Sequence, residues 1–198
     1  MFPESLQKLI ESFKLLPGIG SKTAERLAFS VLDLEEEQIL YFSDSLKDAK
    51  DKIHRCMICN SLTDQEICSI CSDNTRNHEL LCVVEDPKTV FLFEKADMFH
   101  GKYHVIDGLI SPLDGINPED IGIDKLLDRV YKEKFSEIIF AFKPSIEGET
   151  TSLYIKKVMD GIHVKVSRLA SGVPIGADIE YVDNLTLERA LSDRKIIE

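Results

Sequence analysis

The sequence predicts an α/β protein with an all-α N-terminal region, and three observations carry that expectation. Apolar residues in the first 55 positions recur only at helical spacing. Residues 56–71 hold four cysteines in two tight pairs. Residues 79–198 alternate short continuous apolar runs with helical patterns, as a mostly parallel sheet covered by helices does.

The helical region divides at Leu16-Pro17-Gly18. Before it, Leu6, Leu9, Ile10 and Phe13 mark one amphipathic helix. After it, a second helix is expected from Ser21 as N-cap, with Ala24, Leu27, Ala28 and Val31 or Leu32 as its stripe. Ile39, Leu40, Phe42, Leu46, Ala49 and Ile53 fit a third helix of about four turns. Asp33-Leu34-Glu35-Glu36-Glu37 reads as its solvated start, with acids on the positive end of the helix dipole.

Further along, Leu80-Leu81-Cys82-Val83-Val84 is strand-like, and Asp86-Pro87 supplies an N-cap and first position for a helix through Ala96. Tyr103-His104-Val105-Ile106 is a second strand, and Asn117-Pro118-Glu119 opens another helix. Glu137–Phe142 is a third strand, followed by a helix through Lys157, and His163–Val166 is a fourth. Gly172–Asp178 reads as an irregular loop before a short helix near Leu185–Leu191.

Composition bounds the function. The 198 residues suffice for one or two domains with a real core. A content of 43% hydrophobic and 30% charged residues excludes a wholly disordered chain. No apolar run approaches the roughly 20 residues that cross a membrane. The first residues lack the basic and apolar regions of a signal peptide, so no membrane is expected and the cytoplasm is the expected compartment. Twenty-four basic against 35 acidic residues give a net charge of -11, which argues against binding a polyanion by bulk attraction.

The cysteines carry the strongest chemical signal. Cys56-x-x-Cys59 and Cys68-x-x-Cys71 each present two sulfurs from one turn, and two such turns complete the tetrahedral all-sulfur shell of structural zinc. The competing readings are disulfides, disfavoured in the cytoplasm, and a redox pair, which would need only one C-x-x-C. Cys82 lies within a strand pattern and reads as packing, while His54 and His78 flank a shell already filled.

Leu16-Pro17-Gly18-Ile19-Gly20-Ser21-Lys22-Thr23-Ala24 joins two helices through a Gly-Ile-Gly turn. Gly18 and Gly20 permit close backbone approach, and Ile19 can plug the gap between the helices. The helix start offers free N–H groups to a phosphate, with Lys22 and Arg26 four apart on one face. This is the pattern of a helix-hairpin-helix that binds DNA phosphates; the alternative is a plain hairpin used for packing. It is no P-loop, because the glycine spacing and the preceding helix are wrong for one.

A third constellation is acidic. Glu85 ends the first strand, and Glu147 and Glu149 follow the third. In a parallel sheet those ends gather into one crevice, where carboxylates suit Mg²⁺. The equal alternative is a helix start rich in acids.

Taken in order, these segments resemble the RecR family of bacterial recombination mediators over essentially the whole chain. The resemblance rests on the Leu16–Ala24 motif, the four cysteines, Cys82-Val83-Val84-Glu85-Asp86-Pro87, Tyr103-His104-Val105, Ser111-Pro112-Leu113-Asp114-Gly115-Ile116, Glu147-Gly148-Glu149-Thr150 and Gly176-Ala177-Asp178-Ile179-Glu180-Tyr181. It implies a helix-hairpin-helix region at 1–55, a four-cysteine zinc finger at 56–71, a Toprim domain at 79–174 and a C-terminal arm at 175–198. It further implies recombinational DNA repair with RecO and RecF, loading of RecA onto single-stranded DNA, and a ring-like homotetramer. Gly18, Ile19, Gly20, Lys22 and Arg26 would face DNA, and Glu85, Glu147 and Glu149 would be the Toprim acids.

Toprim primases and topoisomerases pair a strand-end Glu with Asp-x-Asp, where this chain has Glu147-Gly148-Glu149. The longer side chains change reach around Mg²⁺, so a non-enzymatic adaptor is expected. The alternative is an Mg²⁺-dependent Toprim nuclease or a topoisomerase-like enzyme. The net charge hides a local exception. Residues 1–30 carry Lys8, Lys14, Lys22 and Arg26 against Glu4, Glu11 and Glu25, so the hairpin itself is not acidic.

Overall fold

The computed structural model describes residues 2–194 and 196. The chain forms two compact units, Met1–Ile53 and His54–Glu198.

The first unit holds α1 (Glu4–Lys14), α2 (Ser21–Leu32) and α3 (Glu36–Lys52). Helices α1 and α2 bury Leu6, Ile10, Ala24 and Ala28 against one another, with Leu9, Phe13 and Ile19 closing the cluster. Two alanines on α2 let the backbones approach, and Ile19 fills the turn as expected. Gly18 makes the reversal with φ of 82°, a conformation that strongly favours glycine. The cap of α2 differs from the expectation. Gly20, not Ser21, is the N-cap, extended at φ -84° and ψ 170°, and no side chain caps the helix. The Gly20 carbonyl already accepts the Ala24 N–H at 2.9 Å, so the first turn closes one residue early and Ser21 becomes helical. α3 opens with a reciprocal capping box between Glu35 and Gln38, and the acidic run is its exposed start. The predicted apolar stripe is present, yet α3 buries no residue.

In the second unit, β1 (His54–Arg55) and β2 (Leu62–Thr63) form an antiparallel pair, followed by the short α4 (Ser69–Ser72). The main sheet joins β3 (Leu80–Val84), β4 (Lys102–Val105), β5 (Glu137–Phe140) and β6 (Lys165–Arg168), all parallel, in the order β4-β3-β5-β6. Its helices are α5 (Pro87–Lys95), α6 (Ile123–Lys132) and α7 (Ile146–Val158), and α8 (Asn184–Ser192) follows β6. Strand β3 alternates strictly. Leu81 and Val83 enter one core with Leu126, Val130, Ile138 and Ile155, while Cys82 and Val84 enter the opposite one with Val90 and Tyr103. Burial on both faces explains the continuous apolar run. Cys82 is packing, and its burial pushes the thiol up to about 12.

Two elements depart from expectation. Asn117 opens only a 3₁₀ turn, Pro118–Asp120, in which Asn117 and Asp120 cap each other. Gly122, left-handed at φ 69°, then starts α6 at Ile123. The fourth strand begins at Lys165 rather than His163, because Val164 N–H turns back to the Ile162 carbonyl and Lys165 N–H is the first to reach Ser136 O.

Candidate zinc centre and nucleic-acid interface

Cys56 and Cys59 lie on the turn between β1 and β2, and Cys68 and Cys71 bracket the start of α4. Asn60, left-handed at φ 61°, closes the first knuckle with its N–H on the Cys56 carbonyl at 3.0 Å. The Cys71 N–H donates to Cys68 O at 3.0 Å and closes the second. The Cys68 N–H also donates to Cys56 Sγ at 3.3 Å. All four sulfurs lie within 4.8 Å of one another, and Cys59 Sγ stands 3.5 Å from Cys68 Sγ. Four thiolates about 2.3 Å from one zinc ion would stand about 3.8 Å apart, so donor type and spacing both fit. The shared protons are split unevenly: hydrogen bonds from Cys59 and then Cys71 hold the Cys68 thiol down to about 2, while the Cys59 thiol that donates to Cys68 is pushed up. The site is closed, and zinc there would fold the loop and supply no open coordination position.

The two knuckles are fastened to β4, the edge strand of the main sheet. The Val105 N–H donates to Cys59 O at 2.8 Å, and Asn60 Nδ2 returns a bond to Val105 O at 2.9 Å. Lys102, 3% exposed, sends its ammonium to the carbonyls of Ile70, Cys71 and Asp73 at 2.9, 3.2 and 2.8 Å. Sequence reasoning missed Lys102 and Asn60. Lys102 sits one residue before the predicted Tyr103 strand, where a surface lysine is the ordinary expectation; Asn60 directly after a C-x-x-C carried a weak signal, because Asn tolerates the left-handed region.

The α1–α2 turn presents a different surface. With no side chain at the α2 cap, the first N–H groups of that helix face outward. A Cβ on Gly20 would meet nothing within 4 Å, and its φ is ordinary. The fold therefore does not demand glycine at this position, whereas close approach of a ligand to the backbone would. Lys22 and Arg26 are exposed and neither forms an ion pair among the described residues.

The predicted acids separate. Glu85 and Glu147 line one crevice of about 490 Å³ with Asp86, Asp107 and Asp114, faced by Arg55 and Lys143. It lies beyond the C-terminal ends of β3 and β5, where the strand order reverses. Glu85 accepts the Lys143 N–H at 3.1 Å. The Ser145 hydroxyl, then its own backbone N–H, hold the Glu147 carboxyl below the usual range, with Lys143 adding to the effect. Glu149 lines a different cavity and pairs with Arg168 at 2.5 Å and Arg189 at 3.6 Å. Gly148 between them is obligatory, because a Cβ would lie 2.2 Å from Lys143 O. Among the described residues, the four cysteines are the one cluster of three or more donors converging as a metal shell.

The comparisons with known proteins follow this anatomy. Residues 6–50 match the RecR helix-hairpin-helix model, 53–73 the RecR four-cysteine zinc finger model and 172–195 the RecR C-terminal model. Residues 79–170 match the Toprim domain. The recombination protein RecR of Natranaerobius thermophilus is 44% identical over 194 residues, 98% of each chain. The chain belongs to the RecR family of recombination proteins. In this RecR-family chain the four-cysteine centre is a zinc finger with structural zinc, and the N-terminal hairpin is a helix-hairpin-helix. No described helix is long and apolar enough to cross a membrane.

Proposed function

We propose that the chain is a non-catalytic DNA-binding adaptor of recombinational repair, acting with RecO and RecF to help load RecA onto single-stranded DNA. The observation that carries this reading is the uncapped start of α2 at Gly20, flanked by exposed Lys22 and Arg26. Backbone N–H groups at Gly18, at Gly20 and in the first turn of α2 would take a phosphate, and the two cations would take its neighbours, while Ile19, whose N–H is bound to Leu16 O at 3.2 Å, shapes the turn. The organisation is fourfold: hairpin region at 1–55, zinc finger at 56–71, Toprim domain at 79–174 and arm at 175–198. A homotetramer supports clamp action, because α3 leaves Leu40 and Leu46 57% and 60% exposed, an apolar face suited to another copy. Glu85 and Glu147 serve as a partner-facing acidic surface, while Glu149 is paired with Arg168 and Arg189. Mg²⁺ at Glu85 and Glu147 belongs to the nuclease reading.

Binding of zinc-loaded protein to a single-stranded oligonucleotide, measured across a salt series, tests this. The Lys22→Ala/Arg26→Ala double variant is expected to bind at least tenfold more weakly, with the salt slope reduced by about 0.7 for each phosphate no longer neutralised. Binding equal to the parent's would overturn the hairpin interface. Mg²⁺-dependent cleavage of the oligonucleotide, abolished in Glu147→Gln, would overturn the adaptor in favour of a nuclease.

A further inference from the structure

Beside the zinc finger lies a cavity that neither the hairpin nor the acidic crevice uses. It measures about 610 Å³ and lies between the first knuckle, β4 and α6. Its polar lining is unusual for a chain of net charge -11. Lys125, Arg129 and Lys132 stand on α6 at helical spacing, and Arg55 faces them from β1. Asp128 and Glu133 also line it, so four cations meet two acids.

His104 completes the lining from β4. It is 2% exposed, and neither Nδ1 nor Nε2 has a hydrogen-bond partner among the described residues. A buried polar atom left unpaired costs about 1–3 kcal/mol, so an aromatic hydrocarbon of similar size would serve the fold better. Its neighbours are already committed. Arg129 donates to Tyr103 O at 2.6 Å and pairs with Glu133 at 2.9 Å. Arg55 pairs with Asp107 at 2.5 Å and donates to Asn60 O at 2.9 Å. Lys125 and Lys132 are exposed and form no ion pair among the described residues. Two ammonium groups without ion pairs therefore line one cavity of ligand size, and the neutral imidazole set in its wall keeps one N–H and one lone pair unused, with both ring nitrogens closed to solvent.

We propose that this cavity binds a phosphate group, with His104 as the buried hydrogen-bonding residue and Lys125 and Lys132 as the charge-neutralising pair. The ring turns toward the cavity as the ligand enters, so that a phosphate oxygen takes the imidazole N–H, while the other ring nitrogen stays in the wall. The group comes either from a free phosphate or mononucleotide or from a nucleic-acid backbone; the chemistry at the cavity is the same. The site is independent of the hairpin interface proposed above, since it uses none of its residues.

Histidine-ring NMR on the zinc-loaded full chain tests the assignment. The His104 signal is identified among the five histidines by its absence in His104→Phe. Inorganic phosphate, a deoxymononucleotide and a single-stranded oligonucleotide are each titrated at constant ionic strength. The expected result is a saturable shift of the His104 signal, weakened at least tenfold in Lys125→Ala/Lys132→Ala and kept in Lys22→Ala/Arg26→Ala. A shift with phosphate and mononucleotide identifies a free ligand; a shift with the oligonucleotide alone identifies the backbone. The His104→Phe variant is expected to melt no lower than the parent while losing phosphate binding by calorimetry. Absence of a shift with all three probes, or full binding in the lysine double variant, overturns the site.

Discussion

Lys102 offers a test of how the zinc finger is held. Replacement by Met keeps the length of the side chain and removes the ammonium. That group is 3% exposed and donates all three of its hydrogens to the carbonyls of Ile70, Cys71 and Asp73. Hydrogen bonds to a charged group contribute about 1.5–3 kcal/mol each. Recovering the solvation of a buried ammonium offsets several kcal/mol of the total. A net loss of about 3 kcal/mol follows, comparable to breaking one partner of a buried charged pair. In a unit of this size it lowers the melting temperature by about 6–12 °C. The second consequence is chemical. A zinc shell of four thiolates carries net negative charge, and Lys102 is the cation bonded to the carbonyl of one ligand residue. Partners just outside a metal shell are worth about 10- to 100-fold in affinity. The assay is competition for zinc with a chromogenic chelator, alongside calorimetry of the loaded protein. Lys102→Met should surrender zinc at a tenfold or more lower chelator concentration. A competition curve superimposed on the parent's, with unchanged melting, would refute a role for Lys102 in holding the second knuckle to β4.

Two more perturbations address the crevice and the buried imidazole. Gly148→Ala places a carbon 2.2 Å from Lys143 O, so the first turn of α7 must move. Overpacking costs about 1–3 kcal/mol, which outweighs the helix-propensity gain of about 1 kcal/mol from alanine. Urea unfolding should show the loss, and a stabilised variant would contradict the close approach. His104 is held neutral, pushed down to about 3 by burial first and then by Arg129 and Lys125, with Arg55, Asp128, Lys132 and Glu133 also lining its cavity. The unfolded imidazole takes up a proton near 6.5, so its contribution to stability is full above that pH and is lost as pH falls toward 3. The pH dependence of urea stability should flatten in His104→Phe below pH 6.5; identical slopes in the two proteins would count against the buried neutral state.

Elements governed by local periodicity were legible in the sequence. The stripe at Leu6, Ile10, Ala24 and Ala28 is the core of the hairpin, and Asp86-Pro87 caps α5 as local chemistry dictates, through Lys88 N–H at 2.8 Å. The cysteine spacing predicted a sulfur cluster that the chain indeed assembles. Features set by contacts distant in sequence were not legible. The bonds of Lys102 to Ile70, Cys71 and Asp73 join residues about 30 positions apart, and periodicity cannot reveal whether a lysine beside a strand is buried. The same limit applies to the third helix. Its apolar stripe marked a helix, and the helix is there, yet α3 buries no residue, because periodicity marks which face seeks a partner and not whether the same chain supplies one. The displaced start of β6 is a smaller instance, decided by the turn at Ile162 and Val164.

The acidic triad shows how tertiary contacts redirect a motif. Glu147 and Glu149 are two positions apart on α7, so they point to different sides of the helix. Glu147 stays with Glu85 in the crevice, while Glu149 bridges Arg168 on β6 and Arg189 on α8. Arg168 also reaches Asp193 at 3.6 Å. The carboxylate that would complete a metal site is thereby spent on holding the C-terminal helix against the sheet. One turn of helix, kept tight by Gly148, serves both the crevice and the C-terminal segment. The acidic crevice and the contacts to the C-terminal helix thus share one turn of α7, with Glu147 on one side of Gly148 and Glu149 on the other.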